Sequence, residues 1–140
     1  MATFNFVDAF SENLAEKKIN LGSDQLKIAL TNTAHTASWS VLADLTLVAT
    51  TNLSGATPLN LTTSASAQTS GNYKLVIADL VLTATGAVGP FRYIYIYSDT
   101  ATNKELIGYY DNGSELTLAN TNTLTINLDG TNGLLTITKA

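Results

Sequence analysis

The sequence predicts a mainly β domain, either an antiparallel β-sandwich of jelly-roll or immunoglobulin-like type or a flattened barrel, with one N-terminal amphipathic helix. Three observations predict it. Apolar residues alternate with period two from about position 24 to 138. Gly, Asn, Asp and Pro punctuate that run every eight to twelve residues or so, the spacing of short antiparallel strands. Only residues 4–18 carry a helical rhythm. No linker or fixed-period repeat divides positions 1–140, so the chain reads as one domain, long enough to bury roughly two-thirds of its unfolded surface.

Within residues 4–18, Val7, Phe10 and Leu14 recur at spacings of three and four, with Phe6 on the same stripe. Asn5 is placed to cap this helix, Asp8 and the Lys17-Lys18 pair complement its two ends, and Gly22 offers a stop. Asp8, Glu12 and Glu16 form a like-charged row, which predicts no intrahelical salt bridge and a helix that leans on the sheet or on a neighbour. Leu26, Ile28 and Leu30 then mark a half-buried strand ended by Thr31-Asn32-Thr33. Residues 41–48 predict another, with Leu45 and Leu47 as its alternating pair.

Between Ala49 and Asn72 the chain is rich in Thr, Ser, Ala and Gly, which predicts a long exposed excursion. A short edge strand through Leu59 and Leu61 interrupts it, with Pro58 at its start, where a missing donor costs little. Tyr73 to Thr83 reads as one longer strand whose apolar parity changes between Ile77 and Leu80, predicting a bulge near Asp79. Gly86, Gly89 and Pro90 predict a turn. Gly89 to Asp111 follows as two aromatic-rich strands, with Phe91, Tyr93, Tyr95 and Tyr97 on one side and Ile94 and Ile96 on the other, a pattern that suits the middle of a covered sheet. Asp111-Asn112-Gly113 predicts a tight turn. Strands through Leu116 and Leu118, through Leu124, Ile126 and Leu128, and through Leu135 and Ile137 complete the chain, the last two joined by the Asp129–Gly133 loop.

Composition narrows the chemistry. The chain has no cysteine and one histidine, His35, so disulfides, thiolate sites and a cysteine nucleophile are excluded, and imidazole-based metal sites are disfavoured. Charged residues make up 13%, against about a quarter in ordinary domains, and the net charge is −4. Lys17-Lys18 is the one adjacent basic pair, so no nucleic-acid partner is expected. With no run of about eighteen apolar residues, no membrane partner is expected, and without a leader pattern synthesis is expected in the cytoplasm of the expressing cell. No cofactor or metal is expected. His35 reads as a solvated loop residue, and Asp44, Asp79, Asp99, Asp111 and Asp129 as turn and edge residues, since none falls into a twelve-residue calcium loop. The aromatic row Phe91–Tyr97 reads mostly as core. Phe4, Phe6, Trp39, Tyr95, Tyr109 and Tyr110 are the candidate contact residues, because aromatic side chains dominate interfaces. Tyr109 and Tyr110, adjacent in a strand, must face opposite sides.

The order of several segments carries a family resemblance: the N-terminal apolar stripe, Leu26-Lys27-Ile28-Ala29-Leu30-Thr31-Asn32-Thr33, Gly71 to Leu82, Gly-Pro-Phe-Arg-Tyr from Gly89, Leu-Ile-Gly-Tyr-Tyr-Asp ending at Asp111, and Asp129-Gly130-Thr131-Asn132-Gly133. Together they resemble a class of small structural proteins of tailed-bacteriophage virions, some of which coat or cement the capsid; Thr50 to Ser70 departs from that pattern. The resemblance implies a non-enzymatic virion component. On it, the chain is expected to be a capsid cement or decoration protein on the outer capsid surface, made in the bacterial host cytoplasm, self-associating as a homotrimer and bridging neighbouring copies of the major capsid protein. A receptor- or carbohydrate-binding module of a tail fibre, with Trp39 and exposed tyrosines as stacking platforms, is the alternative, and a small hydrolase a third.

Overall fold

A computed structural model describes residues 2–140. In chain order, its elements are β1 (Phe4–Phe6), α1 (Phe10–Ala15), β2 (Leu26–Thr31), a 3-10 turn (Leu42–Asp44), β3 (Thr63–Thr69), β4 (Asn72–Ile77), β5 (Leu80–Thr83), β6 (Val88–Ser98), β7 (Leu106–Leu118), β8 (Thr123–Ile126) and β9 (Leu135–Ile137). The strands form sheets of order β1-β7-β6-β2, β3-β4-β9 and β5-β8, antiparallel at every pairing. One buried apolar cluster runs through all three sheets. The architecture is thus mainly β and antiparallel, compatible with a sandwich.

The four-stranded sheet sets the positions of the aromatic residues. Ile28 pairs with Ile96 and Leu30 with Ile94, so these four share one face. Ala29 pairs with Tyr95 and Thr31 with Tyr93 on the other. β6 is buried on both faces from Tyr93 to Ser98, as its doubly apolar pattern predicts. β2 is also buried on both faces over most of its length, and so is more enclosed than the half-buried strand expected there.

The N-terminal segment corrects the expectation of a helix over 4–18. Phe4 to Phe6 is a strand on the edge of the sheet, and the helix is confined to Phe10–Ala15. Both readings fit the local pattern, because Phe4 and Phe6 alternate at two while Val7, Phe10 and Leu14 recur at three and four. Gly108 decides the matter: a Cβ there would lie 2.5 Å from the Asn5 carbonyl oxygen and from the Phe4 ring, so only glycine lets β1 close on β7. Asn5 therefore does not cap the helix; its amide donates to the Thr3 carbonyl, and Ala9 precedes α1 with no side-chain cap. Lys17, at φ 64°, ends the helix in place of Gly22. The amides of Lys18 and Lys17 donate to the carbonyls of Asn13 and Leu14, the paired bonds of a Schellman motif. The acidic row does find a partner, since Lys18 folds back to within 3.9 Å of Glu12 and 3.6 Å of Glu16. Both pairs are exposed and contribute at most about 1 kcal/mol.

Four further expectations change. Residues 41–48 form no strand: the Asp44 carboxylate accepts the Ser40 and Val41 amides and turns the chain, leaving isolated bridges from Val41 to Glu105 and from Leu47 to Thr31. Leu45 is buried and Leu47 exposed. The parity change near Asp79 marks a transfer between sheets, not a bulge, for β4 and β5 belong to different sheets and the Asp79 carboxylate accepts the Leu128 amide at the crossing. Asp111-Asn112-Gly113 makes no hairpin turn. β7 runs through it, with Tyr93 opposite Asp111 and Phe91 opposite Leu116, so residues 112–115 bulge out against Arg92 alone. Gly89 and Pro90 likewise lie inside β6.

The long excursion holds two surprises. Its Leu59–Leu61 segment makes only a bridge at Asn60, flanked by bonds from the Ile28 amide to the Leu59 carbonyl and from the Leu61 amide to the Leu26 carbonyl. β3, Thr-Ser-Ala-Ser-Ala-Gln-Thr, is a seven-residue strand whose side chains are nearly all exposed, so no apolar alternation announces it.

Candidate functional site

The six candidate contact residues fall into two clusters on opposite faces of the four-stranded sheet. Tyr95 pairs with Tyr109 and Ile94 with Tyr110, so the adjacent tyrosines of β7 point to opposite sides. Trp39, Tyr95 and Tyr109 meet on one face; Phe4, Phe6 and Tyr110 meet on the other.

On the tyrosine face the chain between β2 and the 3-10 turn folds over the sheet. His35 lies with its ring 4.6 Å from that of Tyr109, stacked at 26°, and 5.9 Å from Trp39, edge-on at 88°. Tyr95 stacks on Tyr109 at 5.1 Å, and Tyr93 lies edge-on to Tyr109 at 6.4 Å. The Tyr95 hydroxyl donates to His35 Nδ1 across 2.7 Å. Donation runs in that direction because the Tyr95 hydroxyl is buried and Nδ1 is the acceptor beside it among the described residues; burial also pushes the Tyr95 pKa upward, reinforced by Tyr109 and Tyr93. His35 is then the neutral imidazole with its proton on Nε2. Burial lowers the His35 pKa, against an opposing pull from Asp8.

This corrects the reading of His35 as a solvated loop residue. No sequence signal announces it: His35 and Trp39 are set in a segment otherwise made of Thr, Ala and Ser, which carries no periodicity. Tyr95 is 0% exposed and presents no contact surface; its role is to hold His35. Trp39 is half-buried, with its ring among its neighbours.

The opposite face has an aromatic ladder at its edge. Phe4 is 5.3 Å from Phe6, edge-on, and 5.0 Å from Tyr110, while Phe6 stacks on Phe10 at 5.2 Å. Phe6 is 47% exposed. Beside the ladder is a cavity of about 160 Å³ whose lining includes Ile94, Tyr110, Leu124 and Ile126. Burial pushes the Tyr110 pKa up to about 12, with Asp129 and Asp79 adding to it.

The carboxylates are engaged elsewhere. Asp111 accepts Arg92 Nε and Nη2 at 2.7 and 3.0 Å and the Gly113 amide at 2.8 Å; these bonds hold it below the usual carboxylate range, the guanidinium contributing most. Asp129 accepts the backbone and side-chain amides of Asn132. Asp99 receives Lys104 at 2.6 Å and Lys27 at 3.1 Å. Among the described residues no three His, Asp or Glu side chains converge as a metal site, and no helix is long and apolar enough to cross a membrane. No protein-family model, curated protein or solved structure matches the chain.

Proposed function

We propose that this protein is a non-enzymatic structural component of a bacteriophage virion, a capsid cement or decoration protein that attaches to the outer shell and bridges neighbouring major capsid subunits. The observation that carries this reading is the half-open aromatic ladder of Phe4, Phe6, Phe10 and Tyr110. Its rings brace one another and leave the Phe6 side chain 47% exposed on an edge strand. Covering the exposed part of one such phenyl ring is worth roughly 2 kcal/mol. That is weak for a single contact, but a symmetric shell multiplies it through simultaneous engagement. The sparsely charged surface and the segment-order resemblance to virion proteins support the same reading.

A homotrimer seated over a junction between capsomers would place three ladders against three neighbours, and burying them would add to the contacts that internal DNA pressure must break. The test is reconstitution on bare capsids. The purified chain should add at many copies per particle and raise the temperature at which the shell releases DNA, and Phe6→Ser should weaken attachment. Binding at a few copies per particle, or glycan binding by the isolated chain, would overturn it in favour of a fibre module.

A further inference from the structure

We propose that residues 33–39 form a strap latched onto the tyrosine face by the Tyr95–His35 hydrogen bond, and that protonation of His35 releases it, uncovering Tyr95 and Tyr109. The strap's ends are pinned. The Thr33 amide donates to Thr31 Oγ1, the Asn32 amide group to Glu115, and the Leu106 amide to the Ser40 carbonyl. Between them, among the described residues, no backbone hydrogen bond joins 34–39 to the rest of the protein. The one backbone bond there, from the Trp39 amide to the Thr36 carbonyl, is internal. What holds the strap down is the His35 ring, bonded to Tyr95 and stacked on Tyr109, with Trp39 beside it.

The latch depends on the imidazole being neutral. Once protonated, both ring nitrogens are donors, so Nδ1 can only donate to the Tyr95 oxygen, and the Tyr95 proton is left without an acceptor in a buried site. The cation must also shed part of its hydration. Asp8 and the stacked face of Tyr109 pull the other way, the first by charge and the second by its ring quadrupole. Tyr93 and Tyr95 reach the cluster from β6. Arg92 lies over Tyr93 and is paired with Asp111, while Asp44 is bonded to the Ser40 and Val41 amides at the strap's far end. The net direction is downward: the latched histidine binds its proton less readily than a free one. Latching is therefore complete above the ordinary histidine value of 6.5 and weakens as pH falls through it toward the lowered value.

The chain carries its own probes, for His35 is its one histidine and Trp39 its one tryptophan. The experiment follows the His35 ring by NMR and the quenching of Trp39 fluorescence by acrylamide on the isolated full-length protein between pH 8 and pH 5, the range in which histidine switches. His35 should titrate below 6.5, and quenching should rise roughly twofold in step with it while far-UV circular dichroism stays constant. His35→Asn, which offers an amide oxygen near the Nδ1 position and does not titrate, should keep Trp39 shielded at every pH. Tyr95→Phe should move the histidine toward its ordinary value. Titration at or above 6.5, quenching that ignores it, a pH response that survives in His35→Asn, or loss of the dichroism along with the shielding would each overturn the latch. The proposal does not rest on the virion reading, since every readout is taken without capsids.

Discussion

The two faces of the four-stranded sheet are built from the same strands by different means. One is aliphatic at its centre, where Ile28, Leu30, Ile94 and Ile96 interlock with the rest of the buried cluster and need no polar partner, with Tyr110 and the phenylalanine ladder at its edge. The other is a layer of tyrosines covered by a loop, with a histidine accepting a buried hydroxyl. Aliphatic packing resists any change in volume, whereas a tyrosine layer adds directional bonds that respond to protonation. The fold therefore places its rigid half and its responsive half one β-strand thickness apart.

The largest effect expected on this contrast is from Ile96→Ala, which empties a fully buried position on the aliphatic face. It should cost about 2–5 kcal/mol in denaturant unfolding, and a loss under 1 kcal/mol would mean that face is loosely packed. Gly108→Ala comes next. Its methyl group would strike the Asn5 carbonyl and the Phe4 ring, so β1 should lift off β7 at a cost of about 1–3 kcal/mol; amide exchange at Phe4 to Phe6 would accelerate before the rest of the sheet. Tyr95→Phe on the tyrosine face removes one hydrogen bond without altering the ring, and about 1 kcal/mol should be lost at neutral pH. Asp99→Asn should have the smallest effect, at the margin of the tyrosine face where Lys104 and Lys27 hold the carboxylate below its ordinary 3.8. A depressed carboxylate stabilises the fold above that ordinary value and ceases to as pH falls through the native one. The variant should therefore flatten the acid limb of a stability–pH curve and cost under about 1 kcal/mol at neutrality, because the pair is partly solvated.

Where burial repeats at a fixed interval, the chain was readable. Leu26, Ile28 and Leu30, the β6 row and the parity change before Leu80 all announce real features, because each reflects which side of a strand meets the core. Segments whose outcome depends on a distant partner were not. Phe4 to Phe6 becomes a strand because Gly108, about a hundred positions away, leaves room for it. β3 has nothing apolar to bury, and Asp111-Asn112-Gly113 bulges where a hairpin was expected because Arg92 captures the aspartate from across the sheet. Among the candidate contact residues, composition and strand alternation correctly put Tyr109 and Tyr110 on opposite sides. They gave no hint that a loop would bring His35 to Tyr95, since residues 32–40 have no periodicity and only the folded topology lays them across β6.

The outer flank of β2 is stoppered. Leu59 and Leu61 bond to its backbone at Ile28 and Leu26, and the Val48 amide bonds to the Leu30 carbonyl, so its ladder is occupied along most of its length. On the opposite flank the three residues of β1 pair with only Gly108 to Tyr110 of the 13-residue β7. A sheet closed on one side has no way to propagate: two copies joined along the other flank would leave only stoppered ends outward. Fibre growth through this sheet is blocked by its own loops, and any ring of three copies has to be assembled from side-chain surfaces or from the edges of the smaller sheets.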